Sequence, residues 1–244
     1  MLPIAAVLAL SLAAPPACAL PRPVADLAWT RGERLTYDIQ VLGGLKRGGA
    51  VLATTPLSSW IDLAADAHFS APFLSFRGTA HSSIDALTLK PRQFNDQLND
   101  GTPRTTFSNF LRPGLALRVE STIGGKPSMN AFVKGPRVFD VVSAVYSLRS
   151  VDLEPGAAFC FEAVGGRHYW RLNGHRQGGT ERIDTPAGSF QAIRHEAVAV
   201  QADDASVRHQ LRLWISADAR RLPVAMELDS RFGVIRGVLA AVAP

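Results

Sequence analysis

The sequence predicts a mainly β protein: an antiparallel, strongly curved sheet forming an open or closed barrel with one internal helix, or, as the alternative, a two-sheet β-sandwich. Three observations predict it. Apolar and polar residues alternate along most of the chain, the period of strands buried on one face. Turn-forming Gly, Pro, Asn and Asp punctuate these runs. A single stretch, "FDVVSAVYSLRS" at 139–150, has helical spacing, so only one helix is available to cover a face, and a concave sheet would bury its valines.

The elements follow in chain order. "MLPIAAVLALSLAAPPACAL" carries no charged side chain and an apolar run of about a dozen residues, too short for the roughly 20 of a spanning helix. It ends in Ala17-Cys18-Ala19, an A-x-A site, so residues 1–19 read as an export signal and 20–30 as a lead-in to a single β-rich domain over 31–244. A lipoprotein anchored through Cys18 is the alternative, with Pro15 standing where such motifs favour leucine. Loss of residues 1–19 would leave Cys160 unpaired, a small hydrophobe between Phe159 and Phe161.

"LTYDIQV" sets Leu35, Tyr37, Ile39 and Val41 on one strand face. "WIDLAADAHF" alternates in the same way, and Asn99-Asp100-Gly101 marks a hairpin turn between extended runs. The helix begins behind an Asp140 N-cap and places Val141, Val142, Val145 and Leu148 at core spacing. Strands then resume through "AAFCFEAV", a Gly165-Gly166 turn, "RHYWRLN", "FQAIRHEAVAV", "VRHQLRLWIS", "LPVAMELD" and "GVIRGVLAAV".

Composition bounds the function. The chain has 244 residues, 47% hydrophobic and 19% charged, an ordinary globular balance with no second apolar stretch of membrane length. Its net charge of +5 comes from scattered arginines, with lysine only at 46, 90, 126 and 134; no basic run supports nucleic-acid binding. Phosphate-loop, dinucleotide and nucleophile-elbow motifs are missing, so neither a catalytic residue nor a cofactor is assigned and an enzymatic role stays open. In "RHYWRLN" strand geometry puts His168, Trp170 and Leu172 on one face and Tyr169 with Arg167 and Arg171 on a wet face. His168 and His175 are too far apart to share a metal, and no metal ligands are assigned.

Three segments carry a family resemblance. "DVVSAVYSLRSVDLEPGAAFCFEAVGG", "IDTPAGSFQAIRHE" and "LWISADARRLPVAMELDSRFGVIRGVLAAV", with the opening "GERLTYDIQVLGGLKRGGAVL", resemble the bacterial exported family called domain of unknown function 3108. The resemblance covers about residues 31–242 and implies a Gram-negative envelope location and a mostly antiparallel β fold; it brings no activity. Pro186 and Gly188 suit a tight turn, Asp218 can bond its own turn's amides, and Pro223 suits a strand start.

The sequence therefore leads to an exported, periplasmic envelope protein. A non-enzymatic binder of a lipid or other amphipathic ligand is the first reading; an envelope-polymer hydrolase and a scaffolding protein are the others. Tyr146 and Arg149 share a helical side, and Trp170 can line the same interior, so these three are the candidate binding residues. The competing reading has Tyr146 packing and Arg149 capping the helix or pairing with an acid.

Overall fold

A computed structural model describes residues 23–24, 26–41, 46–71, 74–112, 114–230 and 233–243. The expected export signal, Cys18 and the start of the expected lead-in lie outside the described residues. After a 3-10 turn at Ala28–Arg31, the strands run β1 (Glu33–Val41), β2 (Lys46–Pro56), β3 (Trp60–Ala71), β4 (Leu74–Asp85), β5 (Pro91–Asn99), β6 (Pro103–Asn109), β7 (Ala116–Ile123), β8 (Lys126–Val133) and β9 (Val138–Asp140). Helix α1 (Val141–Ser150) follows. Then come β10 (Ala158–Gly165), β11 (His168–Thr185), β12 (Gly188–Gln201), β13 (Arg208–Ser216), β14 (Pro223–Ser230) and β15 (Gly233–Ala243).

All fifteen strands belong to one sheet, in the order β8-β7-β6-β5-β4-β3-β2-β1-β15-β14-β13-β12-β11-β10-β9. Each half is a meander of neighbours, and β1 joins the halves by pairing with β15 from Arg34↔Ala243 to Gln40↔Arg236. Every pairing is antiparallel except β9 with β10, which the helix crossover makes parallel. The edge strands β8 and β9 do not pair with each other, so the sheet is open. Its curvature nevertheless brings the two ends together. Phe132 of β8 stacks on Tyr169 of β11 at 5.3 Å, Asn130 donates to the Arg167 carbonyl at 3.1 Å, and the Gly166 amide donates to Asp96 of β5 at 3.0 Å.

The helix lies inside this curve. It packs on β3, β4, β9 and β10, and eight of its ten residues are buried, which places it within the sheet's concavity. Asp140 caps it: Oδ1 accepts from the Val142 and Ser143 amides at 3.0 and 2.9 Å, while the Ser143 hydroxyl accepts from the Asp140 amide at 3.0 Å. This capping box offsets the low helix propensity of the valines. Ser82 of β4 donates to the other carboxylate oxygen at 2.6 Å, tying the helix start to the sheet. Val141 departs from the expected apolar face. It is exposed and covers Gly165, where a Cβ would come within 2.4 Å of its Cγ1.

Period-two burial holds in β1, where Leu35, Tyr37, Ile39 and Val41 are buried. It fails in β11. Tyr169 is buried together with Val164, Val142 and Tyr146, although its face was expected to be wet, because β8 closes over it. Trp170, on the other face, is half-buried. Cys160 is also half-buried, between the buried Phe159 and Phe161.

Candidate functional site

Three sequence-distant segments meet at the carboxyl end of α1. The Ser216–Pro223 turn is built by Asp218, whose side chain accepts from the Ser216 hydroxyl at 2.8 Å and the Arg220 amide at 3.1 Å. The Ser216 hydroxyl in turn accepts from the Leu222 amide at 2.8 Å. This bonding holds Arg221 at φ 51, a left-handed conformation costing a non-glycine residue about 1–2 kcal/mol. The bend gives Arg221 two tasks. Its carbonyl accepts from Arg149 Nε at 2.8 Å, and its own guanidinium donates to the carbonyls of Arg149 and Val151, capping the last turn of the helix.

Arg149 is completely buried. Its guanidinium forks onto both oxygens of Glu33 at the start of β1 and lies 5.0 Å over the Tyr146 ring. Trp29 meets that ring at 4.9 Å. Tyr37 donates its hydroxyl to the Pro223 carbonyl at 2.8 Å. Burial pushes the phenols of Tyr37 and Tyr146 above their ordinary value, against the opposing pull of Arg149; burial likewise lowers that of the Arg221 guanidinium. Protonated phenols and a paired, bidentate cation form a mechanical clamp joining β1, α1 and the β13–β14 turn. Bonding of this kind fixes geometry, and it leaves the Arg149 charge committed inside the protein.

Tyr146 and Arg149 are thus brought together, and Trp170 stands apart from them. Trp170 packs 5.3 Å from His209 and 6.0 Å from His168. His195, buried beside Phe159 at 6.2 Å, is the most perturbed histidine: burial, aided by the nearby Arg176 charge, lowers its pKa to about 4. Among the described residues no three His, Cys, Asp or Glu side chains gather as a metal site.

Glu33, Tyr37 and Arg221 were not singled out from the sequence as site residues. The available signal was that they fall inside the very segments carrying the family resemblance. What sequence spacing could not reveal is that the segments meet.

A second feature lies on the sheet's inner face, away from the clamp. Strand register aligns Ala197, Leu211, Leu228 and Ile235 across β12 to β15, and Leu213 with Met226 in the adjacent row. All are apolar and partly buried: Ala197, Leu211 and Leu213 rest against the cluster of Leu148 and Ile215, and Met226 and Ile235 against that of Tyr37 and Leu239, whereas Leu63, Ile84, Phe94, Val142 and Tyr146 are fully packed beneath the helix. The helix reaches these rows through Ala144 and Leu148, and the side chains beyond stay partly exposed. Trp170 and His209 border them.

A single open, mostly antiparallel sheet curled round one capped helix defines the class, a mainly β protein. Residues 36–240 match the family described as protein of unknown function DUF3108, and the chain belongs to that family. No curated protein matches the sequence. Among solved structures it is similar to a β-barrel-like protein of domain of unknown function DUF1849 from Brucella abortus, with 10% identity over 92% of this chain and 99% of that one and a TM-score of 0.59. It is more loosely similar to a Bacteroides fragilis protein described as exported with a YmcC-like fold, at 13% identity over 93% and 100% of the two chains and a TM-score of 0.35. No described helix is long and apolar enough to cross a membrane.

Proposed function

We propose that the protein is an exported, non-enzymatic envelope protein whose curved sheet acts as a half-closed barrel holding an apolar or amphipathic ligand, such as a lipid or glycolipid segment. One observation carries this reading: the inner face beyond the helix is lined by half-exposed apolar side chains, Leu211, Leu213, Met226, Leu228 and Ile235 among them. Concave apolar walls with few polar groups are the usual form of such sites. Of the three candidate residues, Trp170 contacts the ligand from the border of these rows. Tyr146 and Arg149 act through the clamp, which sets the curvature of the wall.

The mature chain occupies the periplasm and starts at Leu20. Intact mass from a periplasmic fraction checks this, and a diacylglycerol on Cys18 would overturn it. Ligand identity is tested by native mass spectrometry of protein purified from the exporting host. A lipid carried by the wild type and lost from folded Leu228→Asp and Trp170→Ala supports the carrier. A wild type with no bound lipid, and no change in tryptophan fluorescence on titration with phospholipid, abandons it in favour of the scaffolding protein; turnover of an envelope polymer would favour the hydrolase.

A further inference from the structure

We infer that the helix-plugged end of the sheet docks onto an anionic lipid bilayer through a rim of outward leucines. In an antiparallel meander alternate turns share an end, so the β2–β3, β4–β5 and β6–β7 turns and the last residues of β8 lie together. These four places carry Leu57, Leu87, Leu111, Leu115 and Val133, all exposed, Leu87 at 94% and Leu115 at 75%. At the other end the β5–β6 and β7–β8 turns present Asn99, Asp100 and Gly101, and Gly124 with Gly125.

The leucines are held outward by their turns. Asp85 Oδ1 accepts from the amides of Leu87 and Thr88 at 3.1 and 2.8 Å and from the Thr88 hydroxyl at 2.9 Å. Leu89, at φ 56, then folds back into the core, so the turn adopts a strained conformation that leaves Leu87 in water. The Leu111 amide is fixed by Asn109 Oδ1 at 3.0 Å, and the Lys134 amide and ammonium bond the carbonyls of Leu115 and Arg112 at 2.6 and 3.1 Å.

Charge selects the partner. Lys90, Arg92, Arg112 and Lys134 surround the leucines, with Arg92 stacked 5.3 Å over Trp60, the aromatic and cationic company found at membrane interfaces. The carboxylates beside these turns are Asp62, Asp85 and Glu120; in the other half of the sheet the same end carries Asp184 and Asp218, paired with Arg182 and Arg220. Asp85 is consumed by its turn, and Glu120 sits 3.4 Å from Arg112. Separate apolar tips suit a fluid acyl layer, which accepts each one independently; a protein partner would need a matching hole for each. This inference goes beyond the inner-face ligand and does not depend on it.

The test is flotation of the purified mature chain with vesicles of phosphatidylethanolamine and phosphatidylglycerol, beside vesicles of phosphatidylcholine. Binding to the anionic vesicles, weakened by salt and about tenfold weaker for Leu87→Asp or Leu115→Asp, supports the docking rim. Val198→Asp, an equally simple change at an exposed site on β12, should bind as the wild type does. The inference is overturned if the wild type fails to float, if the leucine variants float unchanged, or if they abolish a concentration-dependent dimer in sedimentation while vesicle binding is absent. A folded circular dichroism spectrum for each variant keeps loss of binding distinct from loss of structure, and co-purified lipid reports separately on the inner face.

Discussion

Replacing Arg149 with alanine should destabilise the protein more than any exposed substitution. The change leaves Glu33, whose side chain is 9% exposed, as a buried carboxylate without its cation, and strips the donor from the Arg221 carbonyl. Removing one partner of a buried pair costs about 3–5 kcal/mol, and loss of the cation over Tyr146 adds roughly 1 kcal/mol. A total of about 4–6 kcal/mol corresponds, for a chain of this size, to a fall in melting temperature of about 10–20 °C. Urea unfolding followed by circular dichroism and by tryptophan fluorescence measures it, Trp29 reporting from 4.9 Å beyond Tyr146. Glu33→Gln with Arg149→Met removes both charges, so the double variant should be more stable than the sum of the single ones predicts, by about 2 kcal/mol or more. A loss below about 1 kcal/mol for Arg149→Ala, or strict additivity, would refute the clamp.

Other outcomes follow from the same contacts. Asp140→Ala should cost about 2 kcal/mol through loss of the cap and of the Ser82 bond, whereas Asp140→Asn, which retains a capping oxygen, should cost less than half of that; thermal melts compare them. Gly174→Ala should cost about 1–3 kcal/mol, since its Cβ would come within 2.4 Å of the Glu196 carbonyl and 2.5 Å of the Phe159 ring. His195, at about 4 in the folded chain, binds its proton less readily than in the unfolded chain, where it titrates near 6.5. Its contribution is complete above about pH 6.5, is lost as pH falls through the window, and levels off near pH 4, amounting to about 3 kcal/mol. Burial raises Asp140 and Asp96, which run the opposite way, so the measured quantity is the pH dependence of wild type minus His195→Gln.

Local patterns in the sequence carried the elements well. The helix begins one residue after its Asp140 cap, Asn99-Asp100-Gly101 turns β5 into β6, and Pro223 opens β14, because caps, turns and alternation depend on neighbours a few residues apart. What depends on closure was not legible. Tyr169 looked wet because the strand pattern was read with one solvated face, and only the return of Phe132 from another edge buries it. Arg149 showed itself as a cation at a helix end; its partner Glu33 lies 116 residues away, a distance at which spacing says nothing. The apolar inner rows escaped for the same reason: Leu211, Leu228 and Ile235 stand on three strands, and only the register of β13, β14 and β15 sets them side by side.

The pairing of β1 with β15 has a consequence for how the chain folds. Arg34 meets Ala243, so within the sheet's hydrogen-bonded ladder the two meanders are joined through the first and last strands, a contact of very large sequence separation and correspondingly slow formation. Synthesis delivers β15 after the other fourteen strands of the sheet, and until then Leu35, Tyr37 and Ile39 lack the partner strand that carries Leu239 and Gly237. The Arg149 clamp waits on the same event's surroundings, because Arg221 is made almost as late. A nascent chain therefore makes fourteen strands of the sheet with β1 paired on one side only, and it completes the sheet once β15 has been made.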